Sequence, residues 1–404
     1  MTGGAGALGF GDPSEAFSRA FPDLSDVSVS YCPYRVCPLG AHIDHQGGRV
    51  TGFALDKGAL IAFSPSDGDE VSVASADFSG RHRFRLGEIP PKRGDWADYV
   101  RASAYALRKL YPIDIGVSAL IVGQLPIGGL SSSAAVILAF MRALSLANGV
   151  SPTRDEYVSA ARLAENEYVG VGVGLLDQTC EAHCERDRLL YLDARDRSME
   201  LIPKNPLAAP MRLAVAYGGL GRSLAVTAYN ARADEARAAA YALMAHSGME
   251  YGAFGGARLR DVPFEAYERF GPRLPDNWRK RAEHYYSEER RVREGVSAWR
   301  EGDIARFGAL VSESGSSSVL NYETGSPELI GLFDILRRAD GVYGARFSGA
   351  GFGGCCMAVV DPAFEDAIAA SVGAAYSKAF PKLAEAFSIH FCDSADGLFR
   401  REGI

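Results

Sequence analysis

The chain has 404 residues, which is more than one compact core usually holds, so two domains are expected. Hydrophobic residues make up 47% and charged residues 23% of it, and this balance excludes a disordered chain, a collagen and a coiled coil. The formal net charge of −7 argues against nonspecific nucleic-acid binding, which depends on Lys and Arg neutralising phosphates. A small anionic ligand remains compatible, because it needs only a local cationic pocket.

The cysteines and the apolar runs indicate the cellular setting. The seven cysteines form no Cys-x-x-Cys pair, so neither a zinc ribbon nor a redox motif is predicted. Met1–Phe10 contains no Lys or Arg ahead of an apolar stretch, unlike a secretory signal. The apolar run Ala134–Met141 has eight residues, whereas a membrane span needs about 20. We therefore expect a soluble, reduced, cytoplasmic protein with no membrane or nucleic-acid partner; the oligomeric state stays open.

The first part of the chain reads as a lead-in followed by strands and helices. Residues 1–26 are predicted to be a loose lead-in segment. Alternating apolar residues then predict strands at 27–31, 59–64, 70–75 and 115–122. Asp95 is a candidate cap for a helix over 96–110, which Pro112 ends.

Two further helices and a strand are predicted before a proline-rich stretch. Residues 131–148 form an apolar helix, and Ser151 is expected to cap the next helix, which ends at Gly170. A strand is predicted at 189–192. Three prolines within 203–210 suggest a domain boundary, giving domains at 27–205 and 206–404.

The second domain mixes the same kinds of element. Strands are predicted at 213–217 and 355–360, and helices at 224–247, 278–300, 327–339 and 362–376. Ser326 and Asp361 are the expected caps of the last two helices. Because strands and helices do not alternate regularly, the expected fold class is α+β in two halves.

A glycine- and serine-rich loop, Gly123–Ala135, lies between a predicted strand and the apolar helix. Glycine lets the backbone approach an anion, and a helix start offers unpaired N–H groups and a positive dipole end. The loop therefore predicts a phosphate cradle, with an ordinary serine-capped turn as the alternative. It is not a Walker loop, because the chain contains no Gly-Lys dipeptide.

A second glycine loop, Ser348–Gly354, formally matches Gly-x-Gly-x-x-Gly. A dinucleotide motif must open a helix, whereas a predicted strand follows this loop, so we reject that interpretation. The loop is expected to let a ligand or a neighbouring loop approach closely; the alternative is a plain turn.

Ionisable residues cluster in two places. Arg35, His42, Asp44 and His45 crowd the segment 33–48 and suggest the wall of a site, although single histidines are more often structural. Asp177 follows an apolar pair and three glycines, so it could be a partly buried, tuned carboxylate. Glu165, taken alone, is more typical of a solvated helix face.

These motifs resemble the GHMP superfamily, the kinases grouped with galactokinase, homoserine, mevalonate and phosphomevalonate kinases. The segments PYRVCPLGAHIDHQGG at 33–48, LPIGGLSSSAA at 125–135 and ARFSGAGFGGC at 345–355 are similar to its three motifs in order and spacing. AENEYVGVGVGLLDQ at 164–178 is similar to the galactokinase branch. The resemblance implies an N-terminal half like ribosomal protein S5 domain 2 and a ferredoxin-like C-terminal half.

Within this branch the chain most resembles the kinases of galacturonic acid. Galactokinases usually have Glu before the motif histidine, where this chain has Ala41. A Glu there would repel a substrate carboxylate by about 1–4 kcal/mol at 4 Å, so its absence favours an acid sugar. The resemblance thus implies ATP-dependent phosphorylation of the C1 hydroxyl of D-galacturonic acid.

The resemblance also implies roles for residues around the transferred phosphoryl group. Asp177 matches the catalytic base, and Arg35 the residue that stabilises charge beside it. The matching ligands of Mg²⁺ are Ser133, with Ser132 as the alternative, and Glu165; few protein ligands suffice for this ion. The implied phosphate cradle consists of Gly128, Gly129, Leu130, Ser131, Ser132, Ser133 and Ala134.

The implied sugar contacts lie elsewhere in the chain. Asp44 matches the residue that holds O3 and O4, and His42 and Tyr229 match further sugar contacts. His45 and Arg222 are candidates for binding the substrate carboxylate near Ala41. Trp96 matches the aromatic residue near adenine, with a buried core tryptophan as the alternative reading.

Two other functions stay open at this point. The chain could be a 1-kinase for galactose or for another hexose or uronic acid. It could also be a regulatory sugar sensor on the kinase fold, although retention of Asp177 and Arg35 argues against that function.

Overall fold

Two β-sheets organise the protein in the computed structural model, which describes residues 12–220, 225–349, 351 and 353–398. The first sheet has eight strands: β1 Ser28–Val36, β2 Arg49–Pro65, β3 Glu70–Ser75, β4 Arg81–Arg85, β5 Val117–Gly123, β6 Arg188–Asp193, β7 Met199–Pro203 and β12 Ser394–Ala395. The second is four-stranded: β8 Arg212–Tyr217, β9 Val342–Phe347, β10 Cys355–Val360 and β11 Ser388–Cys392.

The long strand β2 is the centre of the first sheet. The sheet order is β4-β3-β5-β2-β6-β7, and β1 and β12 also pair with β2. Within the described residues, β3 and β5 pair in parallel and the other strand pairs of this sheet are antiparallel. The second sheet has the antiparallel order β11-β8-β10-β9.

Helices cover both sheets. They are α1 Pro13–Ala20, α2 Asp98–Arg108, α3 Ser132–Ala147, α4 Arg154–Leu163, α5 Leu176–His183, α6 Ala225–His246, α7 Phe264–Phe270, α8 Asp276–Glu301, α9 Ile304–Leu320, α10 Pro327–Leu336 and α11 Glu365–Ala379. A π-helical turn, Ala164–Val169, continues α4, and a 3₁₀ turn, Asp44–Gln46, precedes β2. This mixture confirms the α+β expectation; the boundary at 205/206 stays a prediction.

Two predicted helix starts were wrong. Helix α2 begins at Asp98 rather than at 96, because residues 95–98 first form a turn in which the Asp98 N–H donates to the Asp95 carbonyl at 3.1 Å and the Ala97 N–H to the Asp95 carboxylate at 3.0 Å. Helix α4 is capped by Thr153, not by Ser151. Thr153 and Glu156 form a capping box, which satisfies two N–H groups at once.

Some elements escaped the sequence analysis. Helix α9 contains five serines and two glycines, which mask its helical pattern. Three of the serines, Ser314, Ser317 and Ser318, are buried and hydrogen-bonded. Strand β5 begins at Val117, so Ile115 lies outside it and is exposed.

The chain returns to the first sheet after completing the second. Ser394 and Ala395 of β12 pair with Leu55 and Ala54 of β2. The next residues bind helix α5, since the Gly397 N–H donates to the Cys184 carbonyl at 2.7 Å and the Leu398 N–H to the Glu181 carbonyl at 2.8 Å. Leu398 is fully buried, so this return segment is part of the core that supports α5.

The core contains all seven cysteines. Each is a buried free thiol, which agrees with the absence of a disulfide or zinc motif in the sequence. In the part of the chain that the structure describes, no helix has both the length and the apolar character needed to cross a bilayer.

Candidate active site

The centre of the site is an ion pair between residues that are far apart in sequence. Arg35 lies near the end of β1 and Asp177 in the first turn of α5. The Arg35 Nε lies 2.8 Å from the Asp177 Oδ1, and the Ser131 hydroxyl donates to the other carboxylate oxygen at 2.7 Å. Both oxygens of Asp177 therefore have fixed partners, which hold the carboxylate in one orientation.

Arg35 is the buried partner of this pair. Burial lowers its pKa, but the charge of Asp177 and their hydrogen bond outweigh that effect and raise the pKa above its ordinary value. Its Nη1 also donates to the Gly129 carbonyl at 3.3 Å. Arg35 thus places a permanent positive charge between Asp177 and the serine-rich loop, where an incoming phosphoryl group would be stabilised.

Asp44 approaches the same helix start from the other side. Its Oδ2 accepts from the Leu175 N–H at 3.1 Å and, less closely, from the Leu176 N–H at 3.4 Å. Burial and the neighbouring charge of Asp177 raise the pKa of Asp44, and the hydrogen bonds from main-chain N–H groups, which lower it, only partly offset this effect. Gly174 makes the approach possible, because a Cβ there would come within 1.8 Å of the Asp44 Oδ2.

Three neutral histidines and a tyrosine form one wall next to Asp44. His42, whose φ is 62°, stacks on Tyr322 at 4.4 Å between ring centroids. The His45 Nε2 lies 3.1 Å from the Tyr322 hydroxyl, and the His284 Nε2 lies 2.9 Å from the Ala41 carbonyl. Burial lowers the pKa of His45 to about 3 and that of His284 to about 4.

His42 has an unused polar atom. It is 8% exposed, and its Nε2 has no hydrogen-bond partner within the described residues. Burial, followed by the charge of Arg346, keeps its pKa well below the ordinary value. A buried imidazole nitrogen without a partner is costly, so a polar substrate atom that binds it would offset this cost.

The remaining predicted ligand contacts, to the sugar and to adenine, differ in how well the structure describes them. The Tyr229 ring lies 6.0 Å from His45 and 6.4 Å from His42, between centroids, so it belongs to the same wall. Arg222 lies outside the described residues. Trp96, the predicted adenine contact, has its ring stacked with Phe78 at 6.1 Å and edge-on to His82 at 4.8 Å between ring centroids, and its role stays a prediction.

The serine-rich loop has the backbone that a phosphate cradle requires. Gly128 and Gly129 have φ values of 135° and 83°, which a residue with a side chain rarely adopts. Helix α3 begins at Ser132, and the side chain of its N-cap residue, Ser131, makes no capping hydrogen bond and donates to Asp177 instead. Its N–H groups therefore remain for an anion. Ser132 and Ser133 are partly exposed, whereas Leu130 and Ala134 are buried beneath them.

The second glycine loop packs against this cradle, as the sequence analysis expected of a close approach. The Ser348 hydroxyl donates to the Gly129 carbonyl at 2.7 Å. A Cβ on Gly354 would come within 2.8 Å of the main-chain carbon of Gly128, and one on Gly349 within 2.9 Å of the Gly129 Cα. Two backbones are thus in direct contact, and only glycine fits there.

Glu165 is buried in the π-helical turn and accepts a hydrogen bond from the Gln178 amide. No cluster of three or more His, Cys, Asp or Glu side chains suited to a metal occurs in the described part of the chain. One carboxylate and a serine hydroxyl nevertheless fit Mg²⁺, which completes its shell with water and phosphate oxygens. The role of Glu165 and Ser133 as its ligands stays a prediction.

Sequence reasoning missed several residues of the site. Tyr322 lies in a segment with no motif, and His284 lies in a segment to which the sequence analysis gave no role in the site; the fold brings both to His42 and His45. Glu181, one turn beyond Asp177, is fully buried, and neither carboxylate oxygen has a partner among the described residues. Burial, then the charge of Asp177, raises the pKa of Glu181 well above its ordinary value.

Known proteins are similar to this chain over nearly its whole length. The family model described as "GHMP kinases N terminal domain" matches residues 98–185, and "GHMP kinases C terminal" matches 296–378. The galacturonokinase of Arabidopsis thaliana is 39% identical over 93% of each chain. The galactokinase of Roseiflexus sp. (strain RS-1) is 33% identical over 97% of each. The chain is a GHMP kinase.

Solved structures agree with this assignment. The GHMP kinase superposes on the crystal structure of Lactococcus lactis galactokinase complexed with galactose with a TM-score of 0.86, at 28% identity, over 95% of this chain and 97% of that one. Methanococcus jannaschii mevalonate kinase, at 17% identity and a TM-score of 0.63, shares the fold. The predicted family and two-domain α+β fold are confirmed, and the protein is a sugar kinase that uses ATP as phosphate donor.

Proposed function

We propose that this kinase transfers the γ-phosphoryl group of ATP to the C1 hydroxyl of D-galacturonic acid, giving α-D-galacturonic acid 1-phosphate and ADP. The observation that carries this proposal is the identity and setting of Ala41. It is 6% exposed, its carbonyl is bound to His284, and it precedes His42 in the wall of the site. A carboxylate is absent at the position where galactokinases usually have one.

The charge around this wall supports an anionic sugar. After burial, the positive charges of Arg237 and Arg258 lower the pKa of His45, so both guanidinium groups act on this wall. Arg237 pairs with Asp234, which is 62% exposed, and its Nε has no partner within the described residues. Arg258 donates through its Nη1 to the main-chain oxygens of Gly255 and Ala257 at 2.8 Å. Incompletely compensated cations beside a pocket attract a carboxylate.

The geometry supports Asp177 as the base of the reaction. Asp177 would accept the proton of the C1 hydroxyl while the C1 oxygen bonds to the γ-phosphorus and the bond from that phosphorus to the β,γ-bridging oxygen breaks. Arg35 would balance the charge on the transferred group, and the cradle would hold the phosphates. Mg²⁺, held by Ser133 and Glu165, would neutralise phosphate charge when bound. Asp44 and His42 would hold the sugar ring.

The substrate is tested by a coupled ADP assay with galacturonate, glucuronate and galactose. We expect galacturonate to have the highest kcat/KM. A clear preference for galactose would contradict our reading of Ala41 and support the second candidate, a galactokinase, which the Roseiflexus relative favours. ATP and sugar binding without turnover would instead indicate a regulatory sensor.

The variant Ala41→Glu tests the charge argument directly. The new carboxylate would repel the substrate carboxylate by about 1–4 kcal/mol, so we expect kcat/KM for galacturonate to fall roughly five- to several-hundred-fold. Ala41→Gln is the matched control, since it has a similar size and no charge. Unchanged galacturonate turnover in Ala41→Glu, or an equal loss in both variants, would refute the charge argument.

A further inference from the structure

A second cavity, separate from the site around Asp177, lies on the outer side of helix α8. Its volume is about 540 Å³, within the range of pockets that bind nucleotide- or drug-sized ligands. It is bounded by α8, the segment 259–267 and the first residue of β2. Neither Asp177 nor the serine-rich loop lines it.

Guanidinium groups dominate the polar lining. Arg49, Arg195, Arg260, Arg290 and Arg293 line the cavity, together with only two carboxylates, Glu283 and Glu289.

Both carboxylates are already engaged. Glu289 pairs with Arg49 at 3.0 Å and with Arg260 at 3.2 Å, and Glu283 accepts from the Tyr267 hydroxyl at 2.5 Å. Asp193 also pairs with Arg49 at 3.0 Å and with Arg260 at 2.6 Å, and Asp261 pairs with Arg195 at 3.1 Å. Three of the five guanidinium groups are thus already paired, which leaves those of Arg290 and Arg293 for a ligand.

The rim arginines retain donors for a ligand. Arg290 lies 3.8 Å from Glu294, and it is 66% exposed, so that pair is weak. Arg293 donates its Nε to the main-chain oxygen of Glu289, one turn back on the same helix. Each guanidinium carries five N–H donors, so the two side chains can bind phosphate oxygens.

The floor of the cavity is aromatic. Tyr267 and Tyr286 stack at 4.5 Å between ring centroids, and Phe264, which is 49% exposed, meets Tyr286 edge-on at 5.5 Å. An exposed aromatic edge below a guanidinium rim suits a ligand with a flat ring and phosphate groups.

This cavity contacts the loop that bears the sugar-site residues. Arg260 packs against Gly47, where a Cβ would lie 3.2 Å from the Arg260 Cβ. The Arg49 N–H donates to Glu289 at 2.6 Å. The neighbouring Leu259 N–H donates to the Gln46 side chain at 3.1 Å, and Gln46 in turn lies 3.1 Å from the His45 ring. A ligand that moves Arg260 or the segment 259–267 would therefore also displace His45, through its contact with Gln46.

We propose that this cavity is a second ligand site for a nucleoside diphosphate, bound by Arg290 and Arg293 over the aromatic floor, and that its occupancy changes the affinity for the sugar. The site is independent of the phosphate donor and of which sugar the kinase phosphorylates.

Calorimetric titration of the intact enzyme tests this proposal. UDP and, separately, GDP are titrated into protein saturated with Mg²⁺ and a non-hydrolysable ATP analogue, which occupies the donor site. We expect one equivalent of at least one probe to bind, and at least tenfold weaker binding by the double variant Arg290→Ala/Arg293→Ala. Arg300→Ala is the matched control, because Arg300 lies on the same helix, pairs with Glu200 and does not line the cavity.

Steady-state kinetics provide the second readout. The bound probe should change KM for the sugar at saturating ATP and leave kcat unchanged in the wild type, and the double variant should lose this response. Both side chains are exposed, so the double variant should retain the melting temperature and basal activity of the wild type. Absence of binding by both probes to the saturated enzyme, equal binding by the double variant, or an unaltered KM would overturn the proposal.

Discussion

At the scale of single residues, the hydrogen bonds of Asp177 fix the orientation of its carboxylate. Arg35 and Ser131 bind its two oxygens, and the main-chain carbonyl of Gly129 binds Arg35. The carboxylate proposed as the base, its counter-charge and the proposed phosphate cradle therefore form one hydrogen-bonded unit. A change at Asp177 should affect chemistry more than binding of either substrate.

Asp177→Asn tests this role. The amide cannot accept a proton as the carboxylate does, and general-base contributions are typically 10²–10⁴-fold, so we expect kcat to fall by at least 10²-fold. ATP affinity, measured by calorimetry, should change less than threefold. Asp155→Asn, at a carboxylate that is 88% exposed, is the control and should keep its activity. Full turnover in Asp177→Asn would remove Asp177 from its assigned role.

The histidines near Ala41 should make stability depend on pH. His284 has a folded pKa of about 4 against about 6.5 in an unfolded chain. Between these values the unfolded state binds the extra proton, so the stabilising contribution is complete above about pH 6.5 and is lost as the pH falls towards 4. We expect the free energy of unfolding to fall by up to about 1.4 kcal/mol per pH unit for this residue.

Urea unfolding between pH 7.5 and 4.5 measures this dependence. The glutamine in His284→Gln cannot titrate. The free energy of unfolding of this variant should therefore fall less steeply with decreasing pH than that of the wild type, and the two slopes should differ by up to the effect of one proton. Equal slopes in the two proteins would show that His284 is not held neutral by the fold.

At the scale of elements, the site depends on backbones that approach each other closely. The loop before α5 brings Gly174 against Asp44, and the two glycine loops meet at Gly128 and Gly354. Each contact joins segments that are more than 100 residues apart in sequence. A side chain introduced at one of these glycines should therefore displace the distant segment that the glycine contacts.

Gly174→Ala is the sharpest test at this scale. Its Cβ would come within 1.8 Å of the Asp44 Oδ2, so Asp44 must move from the Leu175 and Leu176 N–H groups. We expect KM for the sugar to rise at least tenfold, with a smaller effect on KM for ATP. Gly172→Ala is the matched control, since nothing lies within 4 Å of a Cβ there. Similar sugar KM values in both variants would contradict the assigned role of Asp44.

The sequence predicted those parts of the site that local patterns encode. The serine-rich loop, with its strand before and helix after, follows from glycines and serines at neighbouring positions, and the family resemblance paired Arg35 with Asp177. Tyr322, His284 and Glu181 could not be predicted, because their roles come from contacts across long stretches of chain. Helix starts at 98 and 154 were missed because residues 95–98 first form a turn, and because Thr153 has a better partner in Glu156.

At the scale of the whole molecule, the return segment joins the end of the described chain to the helix of Asp177. Leu398→Ala removes a fully buried side chain, so we expect a loss of about 2–5 kcal/mol in the free energy of unfolding, measured by urea denaturation. Leu207→Ala is the control, since Leu207 is 94% exposed and should change stability by less than about 0.5 kcal/mol. A loss no larger than that of the control would show that the segment does not support the core.

The same segment is synthesised long after strand β2 and helix α5, which it contacts. The ribosome produces β1 to β7 and the complete phosphate cradle early, yet strand β2 gains its β12 neighbour, and helix α5 its two main-chain donors, only when residues 394–398 have left the exit tunnel. Helix α5 therefore lacks two of its main-chain contacts until this segment has been synthesised.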